Sequence, residues 1–547
     1  MNSHLQARRK FYLGDVLFDK ATNSQPISQE ELQQRANELG ITIHELKAAI
    51  SMFGSFHKNL QSKRIFQIGL GGIGGNLLDF YTKHFTFQPG HIVACDKDIN
   101  VIRSLPSYPN IVYKHIHITQ HNYRDVFAQH VHEGDMIVDL GYYVDTADVL
   151  QWCKEHGVLF INAAVEEWED NESNGLQYPQ NEVRTYTLYH RQMRIKDLSN
   201  GWNQTPTAIL TIGANPGVVS YMYKIGLQHW VQHLVDTHSK WPKLQQAVQL
   251  IQRKPIDYPK LAQLMNIQVI QIAEKDTMRQ SIPREQGEYI VTWSPMGFVE
   301  ESIAPAELGW GTHETMTEKD GAYGYTQGPR NQVCFRTRGV DTMVQSFVPS
   351  GNFVGFIVRH EEAFSISDYL TVRDSFNQPV YRPTVYYAYS PCSDAIASVH
   401  EMKSNGWKTP TKLRLPKEEL IDGRDELGCF MLSGDADVGN WWIGSIQSVA
   451  ECREICNGPS PVTSLVTAGV FTGIMYAFNH PALGVIHPDH MNEDESMDLT
   501  LPYWYPLKSF HVPEWKPHVQ SKFHVRGEAK NHVLQTPDWV IEKFLLN

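Results

Sequence analysis

Residues 64–80, RIFQIGLGGIGGNLLDF, decide the fold of this chain. A short apolar run leads directly into Gly69-Leu-Gly71-Gly-Ile-Gly74, after which apolar residues recur at helical spacing. Gly69 allows a tight turn, Gly71 lets the backbone approach a pyrophosphate, and Gly74 permits close packing of helix on strand. Unpaired N–H groups and the helix dipole favour a pyrophosphate at the helix N-terminus. The motif therefore predicts a dinucleotide site formed by Gly69, Gly71, Gly72, Ile73 and Gly74.

Asp96 ends the next apolar run, 22 residues beyond Gly74. An acidic residue at this position accepts hydrogen bonds from an adenosine ribose and repels a 2′-phosphate. We therefore predict NAD rather than NADP as the cofactor. Asn162 and Asn215 follow later apolar runs and are further candidates for contact with it. The alternative is a glycine-rich turn in an α/β sheet that binds no ligand.

Short β-branched runs alternate with amphipathic stretches around this motif. The predicted strands of this region are 64–69, 91–96, 111–117, 136–139, 158–162 and 208–213. Strands at this spacing, with helices between them, indicate right-handed βαβ crossovers. The pattern predicts an α/β fold in which residues 61–219 form a Rossmann-type, doubly wound parallel sheet.

The pattern changes beyond residue 220, where strand-like segments follow one another with fewer helices between them. These segments are 267–273, 289–292, 332–337, 343–348, 352–358 and 384–389. They predict that residues 220–450 form a second, α+β domain with a mixed sheet.

Three further segments complete the predicted organisation. Residues 1–60 form a helical N-terminal extension, with one helix from Ser28 to about Phe53 that begins with an SQEE capping pattern. Residues 451–491 contain a helix that returns to the Rossmann domain. Residues 492–547 form an aromatic, Pro-rich tail over the surface.

Composition excludes some classes of function. The 547 residues include 48 Lys+Arg and 60 Asp+Glu, a net charge of −12. Nucleic acids and anionic membranes require a cationic face, so neither is expected as a partner. The seven cysteines form no CxxC pair, which favours a reduced, cytoplasmic setting without a metal site. The apolar run 462–480 contains many small polar residues and is expected to be a buried helix, not a membrane span.

The stretch 293–314, WSPMGFVEESIAPAELGWGTHE, indicates the ligand. It contains four glutamates (300, 301, 307 and 314) and no Lys or Arg. Four carboxylates so close together repel one another unless a cation compensates them. The faces of Trp293, Phe298 and Trp310 attract organic cations. The stretch predicts a site for an ammonium ligand, and the alternative is an acidic loop with core tryptophans.

Other candidates follow predicted strands, where ligands of α/β sheets bind. Asn215 lies in an Asn-Pro-Gly turn, so a turn role and a ligand contact are both open. Lys275 lies between Glu274 and Asp276 and is placed to neutralise one of them. His360 precedes two glutamates that raise its basicity, which suits it to proton transfer. The remaining polar residues at strand ends are Asp139, Asp145, Asn162, Glu166 and Glu167.

Seven segments closely resemble bacterial homospermidine synthases, of the saccharopine dehydrogenase-like group. They are IGLGGIGG, ILTIGANPGVVS, IAEKDT, TWSPMGFVEESIAPAELGWGTHE, GPRNQVCFRTRG, SISDYLTV and YRPTVYYAY, between about residues 64 and 480. The resemblance implies a homodimer that retains NAD and uses putrescine and related polyamines. It also implies that residues 220–450 supply the substrate pocket and the dimer contacts. Two putrescines, or spermidine and putrescine, give homospermidine with release of ammonia or diaminopropane, through hydride abstraction, imine formation and re-reduction.

The resemblance also implies roles for individual residues. Trp293 should hold a substrate ammonium by a cation–π contact, with Glu301 and Glu274 as carboxylate partners. The residues that should line the same pocket are Asn215, His360, Glu362 and Glu166, with Glu169 as the alternative to Glu166.

The chemistry of an amine substrate adds a requirement. A primary ammonium resembling a lysine side chain has a pKa near ~10.4, so freeing it at pH 7 costs roughly 4 to 5 kcal/mol. A base must take that proton, and His360 and Glu301 are the candidates. Two alternatives stay open: a saccharopine or carboxynorspermidine dehydrogenase, whose carboxylate substrates need Arg or Lys clamps, and a non-catalytic NAD-binding sensor.

Overall fold

The computed structural model describes residues 27–39, 42–43, 46–47, 58–60, 62–169, 184, 187–456, 458–518 and 537–546. In chain order, the elements up to residue 209 are α1 (Gln29–Leu39), β1 (Lys58–Asn59), β2 (Ile65–Ile68), α2 (Gly72–His84), β3 (Phe85–Thr86), β4 (Ile92–Asp96), α3 (Ile99–Ser104), β5 (Ile111–His115), α4 (Tyr123–His130), β6 (Met136–Asp139), α5 (Thr146–His156), β7 (Leu159–Asn162), α6 (Leu188–Leu198) and β8 (Ala208–Ile209).

The elements beyond residue 209 are α7 (Val219–Asp236), α8 (Leu244–Gln252), α9 (Tyr258–Leu264), β9 (Ile267–Asp276), β10 (Arg279–Gln280), β11 (Glu288–Ile290), α10 (Pro295–Ile303), β12 (Pro305–Gly309), β13 (Ala322–Gly324), β14 (Gln332–Arg338), β15 (Met343–Val348), β16 (Gly351–Phe356), α11 (Glu362–Tyr369), β17 (Val372–Arg373), β18 (Pro379–Tyr381), β19 (Thr384–Ser390), α12 (Ser393–Ser404), β20 (Lys412–Arg414), β21 (Leu420–Asp422), β22 (Asp425–Ser433), β23 (Asn440–Ser445), α13 (Val449–Cys456), α14 (Pro461–Asn479), β24 (Val485–Ile486), α15 (Glu493–Thr500) and β25 (Leu507–His511). Short 3₁₀ turns occur at Glu318–Asp320, Gly339–Asp341, Pro488–His490 and Ile541–Lys543.

The first sheet has seven strands in the order β24-β8-β7-β6-β2-β4-β5. Every pair in it is parallel. Strands β2, β6 and β7 are buried along their whole length, as expected for a sheet covered by helices on both faces. Strand order reverses beside β2, which creates the crevice where such folds bind ligands. The predicted doubly wound parallel sheet is confirmed.

Helix α14 packs against α2, beside the parallel sheet. A Cβ at Gly469 would overlap the backbone of Gly213, so the small residue allows this close approach. The segment Val449–Asn479 is apolar enough to cross a membrane, yet 89% of its apolar window is buried in the protein. Strand β24 follows α14 and pairs with β8 at the edge of the parallel sheet. A strand this short carries no alternation, so the sequence did not predict it.

The second sheet has ten strands, eight of them in the order β13-β14-β12-β19-β9-β22-β23-β25, and β15 and β16 join it through β19. Strand β9 pairs parallel with β19 and antiparallel with β22. The predicted mixed sheet is therefore confirmed. The domain limits stay predictions, because segments from beyond residue 450 join both sheets.

The expected surface tail is wrong for the described part of residues 492–546. Strand β25 pairs with β23 at the edge of the mixed sheet. Trp504 and Phe544 are fully buried, because large aromatic side chains gain most when they leave water. The C-terminal region is thus part of the core.

The first part of the predicted N-terminal helix is present as α1, but the helix is not continuous to Phe53 because Thr42 is not helical. The Ser28 N–H donates to Glu31 Oε2 at 2.9 Å, and the Glu31 N–H donates to Ser28 Oγ at 3.2 Å, which forms the expected capping box. Ala36 and Leu46 are buried. Residues 40, 41, 44, 45 and 48–53 of the predicted helix lie outside the described residues.

Candidate active site

A cavity of about 610 Å³ is lined by residues from both sheets. We call its two parts the glycine side and the carboxylate side. The glycine side consists of Gly71, Gly72, Ile73, Gly74, Asp98 and Val101. The carboxylate side consists of Glu166, Asn215, Glu274, Trp293, Glu300, Glu301, His360, Glu361 and Tyr387.

The glycines of the first turn have three different roles. Gly69 has φ +87°, and a Cβ there would lie 2.5 Å from Leu140 O, so it forms the tight turn and does not line the cavity. A Cβ at Gly74 would overlap Gly69 O, so only glycine allows the helix to pack this closely on the strand. A Cβ at Gly71 would meet no atom within 4 Å. Gly71 therefore presents open backbone to the cavity, as a pyrophosphate cradle requires.

Asp96 acts from behind the glycine side. Its carboxylate accepts hydrogen bonds from the Leu70 N–H and the Asp98 N–H, both at 2.8 Å. It therefore fixes the turn, while Asp98, which the sequence did not single out, lines the cavity. Among the described residues of the glycine side, Asp98 is the charged one and none is Lys or Arg. The side is unsuited to a 2′-phosphate.

Asn162 does not line the cavity. Its side-chain amide donates to Ala164 O at 2.5 Å, and its Oδ1 accepts from the Thr211 N–H at 2.9 Å. These bonds hold the loop after β7, whose residues 163–166 do line the cavity. A direct contact of Asn162 with a cofactor stays a prediction.

Asp139 lines the cavity, whereas two other acidic residues at strand ends do not. Burial raises the pKa of Asp139 to about 7, against the hydrogen bond from the Gly141 N–H. Asp145 caps α5 and lies 2.6 Å from Arg194. Glu167 lies 3.6 Å from the same arginine. The latter two carboxylates stabilise the fold next to the site.

His360 lies between two carboxylates. Its Nε2 is 3.2 Å from Glu301 Oε1, and its Nδ1 is 3.2 Å from Glu362 Oε1. Burial lowers the pKa of His360, but the two carboxylates outweigh burial and hold it well above its usual value. The ring therefore stays protonated at neutral pH and donates to both partners. Glu362 does not line the cavity and holds His360 from behind.

Glu274 is buried against two donors. Its Oε2 accepts from Tyr387 OH at 2.8 Å and from Asn215 Nδ2 at 3.0 Å. Burial raises the pKa of Glu274 to about 7, a rise that the hydrogen bond from Tyr387 reduces. Tyr387, which the sequence did not single out, carries no local signal because it lies within a buried strand. Asn215 therefore lines the cavity and also forms part of the Asn-Pro-Gly turn.

Lys275 does not neutralise Glu274 or Asp276, contrary to the sequence interpretation. All three lie within β9, where alternate side chains point to opposite faces. Lys275 Nζ donates to Ser350 Oγ at 3.2 Å instead. Asp276 accepts from Thr292 Oγ1 at 2.6 Å. The two carboxyl groups therefore share one buried face of the sheet, and Lys275 points to the other face.

Trp293 stands at the start of α10 and lines the cavity. Its Nε1–H donates to Tyr389 OH at 3.2 Å, which fixes the indole ring. Ser294 caps the helix by accepting from the Gly297 N–H. The Ser294 hydroxyl also bonds to Tyr142 OH, which follows β6. This bond links the loop after β6 to the start of α10 at the cavity.

Only part of the acidic stretch faces the cavity, which corrects the expectation of four converging carboxylates. Glu300 and Glu301 line it. Glu307 accepts from the Leu188 N–H at 2.8 Å, and Glu314 accepts from the Ile541 N–H at 3.0 Å. Buried N–H groups require acceptors, and these two glutamates supply them. Trp310 and Phe298 pack into separate apolar cores.

Arginines from outside the acidic stretch also line the cavity. Arg191 Nη1 lies 3.8 Å from Glu166 Oε2 and donates to Val165 O at 3.0 Å. Arg359 lines the cavity beside His360. The lack of Lys and Arg within residues 293–314 therefore does not describe the whole cavity. Glu166 lies at the site, whereas its alternative Glu169 is exposed and does not line the cavity.

Within the described residues, no group of three or more His, Cys, Asp or Glu side chains is placed to bind a metal ion. The cavity instead combines carboxylates, an indole and a protonated imidazole beside a glycine-rich turn. Such an arrangement is suited to an organic cation next to a dinucleotide.

Known proteins are similar to this chain over most of its length. Residues 65–209 match the saccharopine dehydrogenase NADP binding domain, and residues 213–503 match the saccharopine dehydrogenase C-terminal domain. The homospermidine synthase of Blastochloris viridis is 31% identical over 458 residues, 83% of this chain and 92% of its own. That of Mesorhizobium japonicum is 31% identical over 463 residues, 83% of this chain and 91% of its own.

A solved structure agrees with the sequence relatives. The crystal structure of the homospermidine synthase of Legionella pneumophila in complex with NAD superposes with a TM-score of 0.75 at 27% identity, covering 90% of this chain and 99% of that one. Sequence and structure together show that the chain belongs to the homospermidine synthase family, within the saccharopine dehydrogenase group.

Proposed function

We propose that this protein makes homospermidine from two putrescines, or from spermidine and putrescine, with NAD retained throughout. The observation that carries the proposal is the carboxylate side itself. Five glutamates, an indole and the protonated His360 meet beside the glycine-rich turn. A diammonium substrate matches that charge, and the family membership supports the same reaction.

The glycine side is proposed to hold NAD. Gly71 offers open backbone, and α2 begins at Gly72 with its unpaired N–H groups directed at a pyrophosphate. The related Legionella pneumophila enzyme was solved with NAD. One family model is described as NADP binding, but Asp96 and Asp98 favour the cofactor without a 2′-phosphate. Bound NAD supplies a hydride acceptor for the amine carbon and returns the hydride later.

Trp293 and Glu301 are proposed to hold the substrate ammonium that stays charged. A cation over a tryptophan face gains about 2 kcal/mol when water is excluded. Glu301 Oε1 faces His360, while its Oε2 is buried and has no hydrogen-bond partner among the described residues. That oxygen is available to an ammonium N–H. The distal end of the diamine is thereby fixed relative to the glycine side.

Glu274 is proposed to take the proton from the ammonium that reacts. His360, one of the two candidates from the sequence, is held protonated by Glu301 and Glu362 and cannot accept another proton. Burial raises the pKa of Glu274 to about 7, and a base works best when its pKa lies near the working pH. Tyr387 and Asn215 stabilise the ionised form of Glu274 by hydrogen bonds.

The imine that forms on the substrate must be protected from water until a second amine replaces the first nitrogen. The cavity is lined by residues from both sheets, and the Tyr142–Ser294 bond links the two domains at its wall. Exclusion of water also strengthens the electrostatic contacts within the cavity. The second putrescine must therefore reach the imine carbon before water does.

A second candidate function is reductive amination of a saccharopine-like substrate. Arg191 and Arg359 line the cavity, and arginines are the side chains that clamp substrate carboxylates. Such an enzyme requires a 2-oxo acid and changes the oxidation state of its nicotinamide with each turnover. Homospermidine synthesis requires neither.

Product analysis separates the two. Purified protein incubated with putrescine and NAD alone should give homospermidine and ammonia, without accumulation of NADH. A requirement for a 2-oxo acid, or NADH formed in equal amount to product, contradicts the synthase. We also propose a cytoplasmic homodimer, and light scattering of the purified protein would measure its mass.

A further inference from the structure

Residues 412–415 reach from the second domain onto the glycine-rich turn. Strand β20 pairs with β11, and Leu413 and Leu415 line the cavity. A Cβ at Gly72 would lie 2.7 Å from Leu415 Cδ2, so this leucine rests directly on the start of α2. The segment therefore covers the backbone that is proposed to receive the pyrophosphate.

Arg414 fixes the segment from its other face. Successive side chains of a strand point to opposite faces, so Arg414 points away from Leu413 and Leu415. Its guanidinium donates to both oxygens of buried Glu288, from Nε at 2.9 Å and from Nη2 at 3.1 Å. Nη1 donates to Glu419 at 3.3 Å and to Gln280 at 3.2 Å. Bidentate arginine–carboxylate pairs define position as well as adding energy.

The two leucines differ in exposure, and Leu415 is half-buried. Leu413 is 38% exposed although it lines the cavity. Val462 and Val466 of α14 line the same region. Apolar groups at a cavity wall gain free energy when a ligand covers them. Gly71 and Gly72 line the same part of the cavity, where the dinucleotide is proposed to bind.

We propose that residues 412–415 are a strap that retains NAD between turnovers, with Leu413 and Leu415 as the cover and Arg414 as the anchor. This inference rests on the proposed function, because a cofactor that gives back its hydride must stay bound until the imine is reduced. NAD can leave only when the strap lifts from the glycine-rich turn, and the Arg414–Glu288 pair opposes that movement.

Exchange of bound NAD for isotopically labelled NAD tests the strap directly. Protein loaded with NAD and freed of excess by gel filtration should exchange slowly. The double variant Leu413→Ala/Leu415→Ala should exchange at least about tenfold faster, a difference of roughly 1.4 kcal/mol. Arg414→Gln should accelerate exchange in the same direction, and Arg414→Lys less than Arg414→Gln. Product formation in the variants should become dependent on added NAD.

Two matched variants control for general loosening of the protein. Leu483→Ala removes a leucine that is 44% exposed and does not line the cavity. Arg279→Gln removes an exposed arginine that pairs with Asp422. Both should exchange NAD at the wild-type rate.

The outcomes are distinct. Exchange at the wild-type rate in the double leucine variant would overturn the strap, and so would wild-type protein that holds no NAD. Wild-type protein that retains NAD but makes no homospermidine would overturn the proposed function and leave the strap in place.

Discussion

The glycine side and the carboxylate side of the cavity are built in different ways. The turn of the glycine side comes from one continuous stretch, residues 69–74, and acts through backbone groups. The carboxylate side draws its side chains from β9, α10, β19, the segment after β16 and two loops of the first domain. Backbone recognition requires only a local turn, whereas the recognition of a cation requires several charges brought together by the whole fold.

The two sides also treat charge differently. The glycine side is small and apolar apart from Asp98, and its cover is two leucines. The carboxylate side holds carboxyl groups whose pKa values are raised by burial, such as that of Glu274. Burial of a charge is costly unless it is paired. The free-energy cost of burying carboxyl groups is therefore found on the side of the cavity where the reaction is proposed to take place.

The largest effect is expected for Glu274→Gln. If Glu274 is the base, kcat should fall by about 10² to 10⁴-fold, the usual contribution of a positioned base. Wild-type activity should also decline as the pH falls below about 7, since a carboxyl group with its pKa raised to about 7 is protonated there. A stopped assay of homospermidine across pH measures both.

Glu307→Gln is the matched control for that variant. Burial also raises the pKa of Glu307 to about 7, but this residue accepts from the Leu188 N–H and does not line the cavity. Glu307→Gln should therefore not change the pH dependence of homospermidine formation. If Glu274→Gln kept the wild-type kcat and profile, another residue would be the base.

Trp293→Leu should have the next largest effect. Leucine preserves an apolar contact and removes the ring face, so the loss of about 2 kcal/mol should raise the putrescine KM roughly 30-fold. Trp310→Leu, from the same acidic stretch but a different core, should leave that KM unchanged. Bound NAD should be retained in both variants. An unchanged putrescine KM in Trp293→Leu would show that Trp293 makes no cation–π contact with the substrate ammonium.

Gly71→Ala tests the glycine side alone. The added methyl group meets no protein atom within 4 Å, so the thermal unfolding midpoint should not change. The methyl group projects where the pyrophosphate is proposed to lie, and NAD should bind about tenfold more weakly, as for ordinary overpacking. Equilibrium titration with NAD measures this. Wild-type affinity in the variant would place the dinucleotide elsewhere.

The smallest expected effect is on stability, from Asp425→Asn. Asp425 lies behind the carboxylate side, opposite Asp276 in the sheet register, and neither of its oxygens has a hydrogen-bond partner among the described residues. Burial, with Glu274 and Asp276 nearby, raises the pKa of Asp425 well above its usual value. The folded protein therefore loses stability as the pH rises above about 4, where an unfolded Asp ionises.

The replacement Asp425→Asn removes this pH-dependent loss of stability, because asparagine does not ionise. The thermal unfolding midpoint of Asp425→Asn should exceed that of the wild type by a few degrees at pH 8, and by less at pH 5. Asp437→Asn, at an exposed position, is the control. Equal midpoints for Asp425→Asn and wild type at pH 8 would mean that the buried Asp425 carboxyl group does not destabilise the folded protein.

The sequence predicted well what is local. The glycine-rich turn and the strands around it lie where the pattern places them, because turn chemistry and apolar runs act over a few residues. Gly69 and Gly74 have the turn and packing roles that the spacing indicated. Asn215, His360 and the stretch from Trp293 to Glu301 also meet at one cavity, although these three parts are far apart in the chain.

Long-range contacts were harder to predict. Glu307 and Glu314 resemble Glu300 and Glu301 in the sequence, yet they are turned away to satisfy N–H groups of distant segments. Tyr387, buried in a strand, has no pattern that separates it from core tyrosines. The short strand β24 and the edge strand β25 depend on partners far along the chain.

The central claim is that one putrescine carbon gives a hydride to NAD bound at the glycine side, and that the same hydride returns to the same carbon. Putrescine deuterated at both carbons that bear nitrogen tests it most directly, in the presence of excess unlabelled NADH. Mass spectrometry of the product should find homospermidine that keeps every deuterium of the two putrescines from which it forms. Homospermidine in which one of those deuteriums has been replaced by hydrogen would contradict the account.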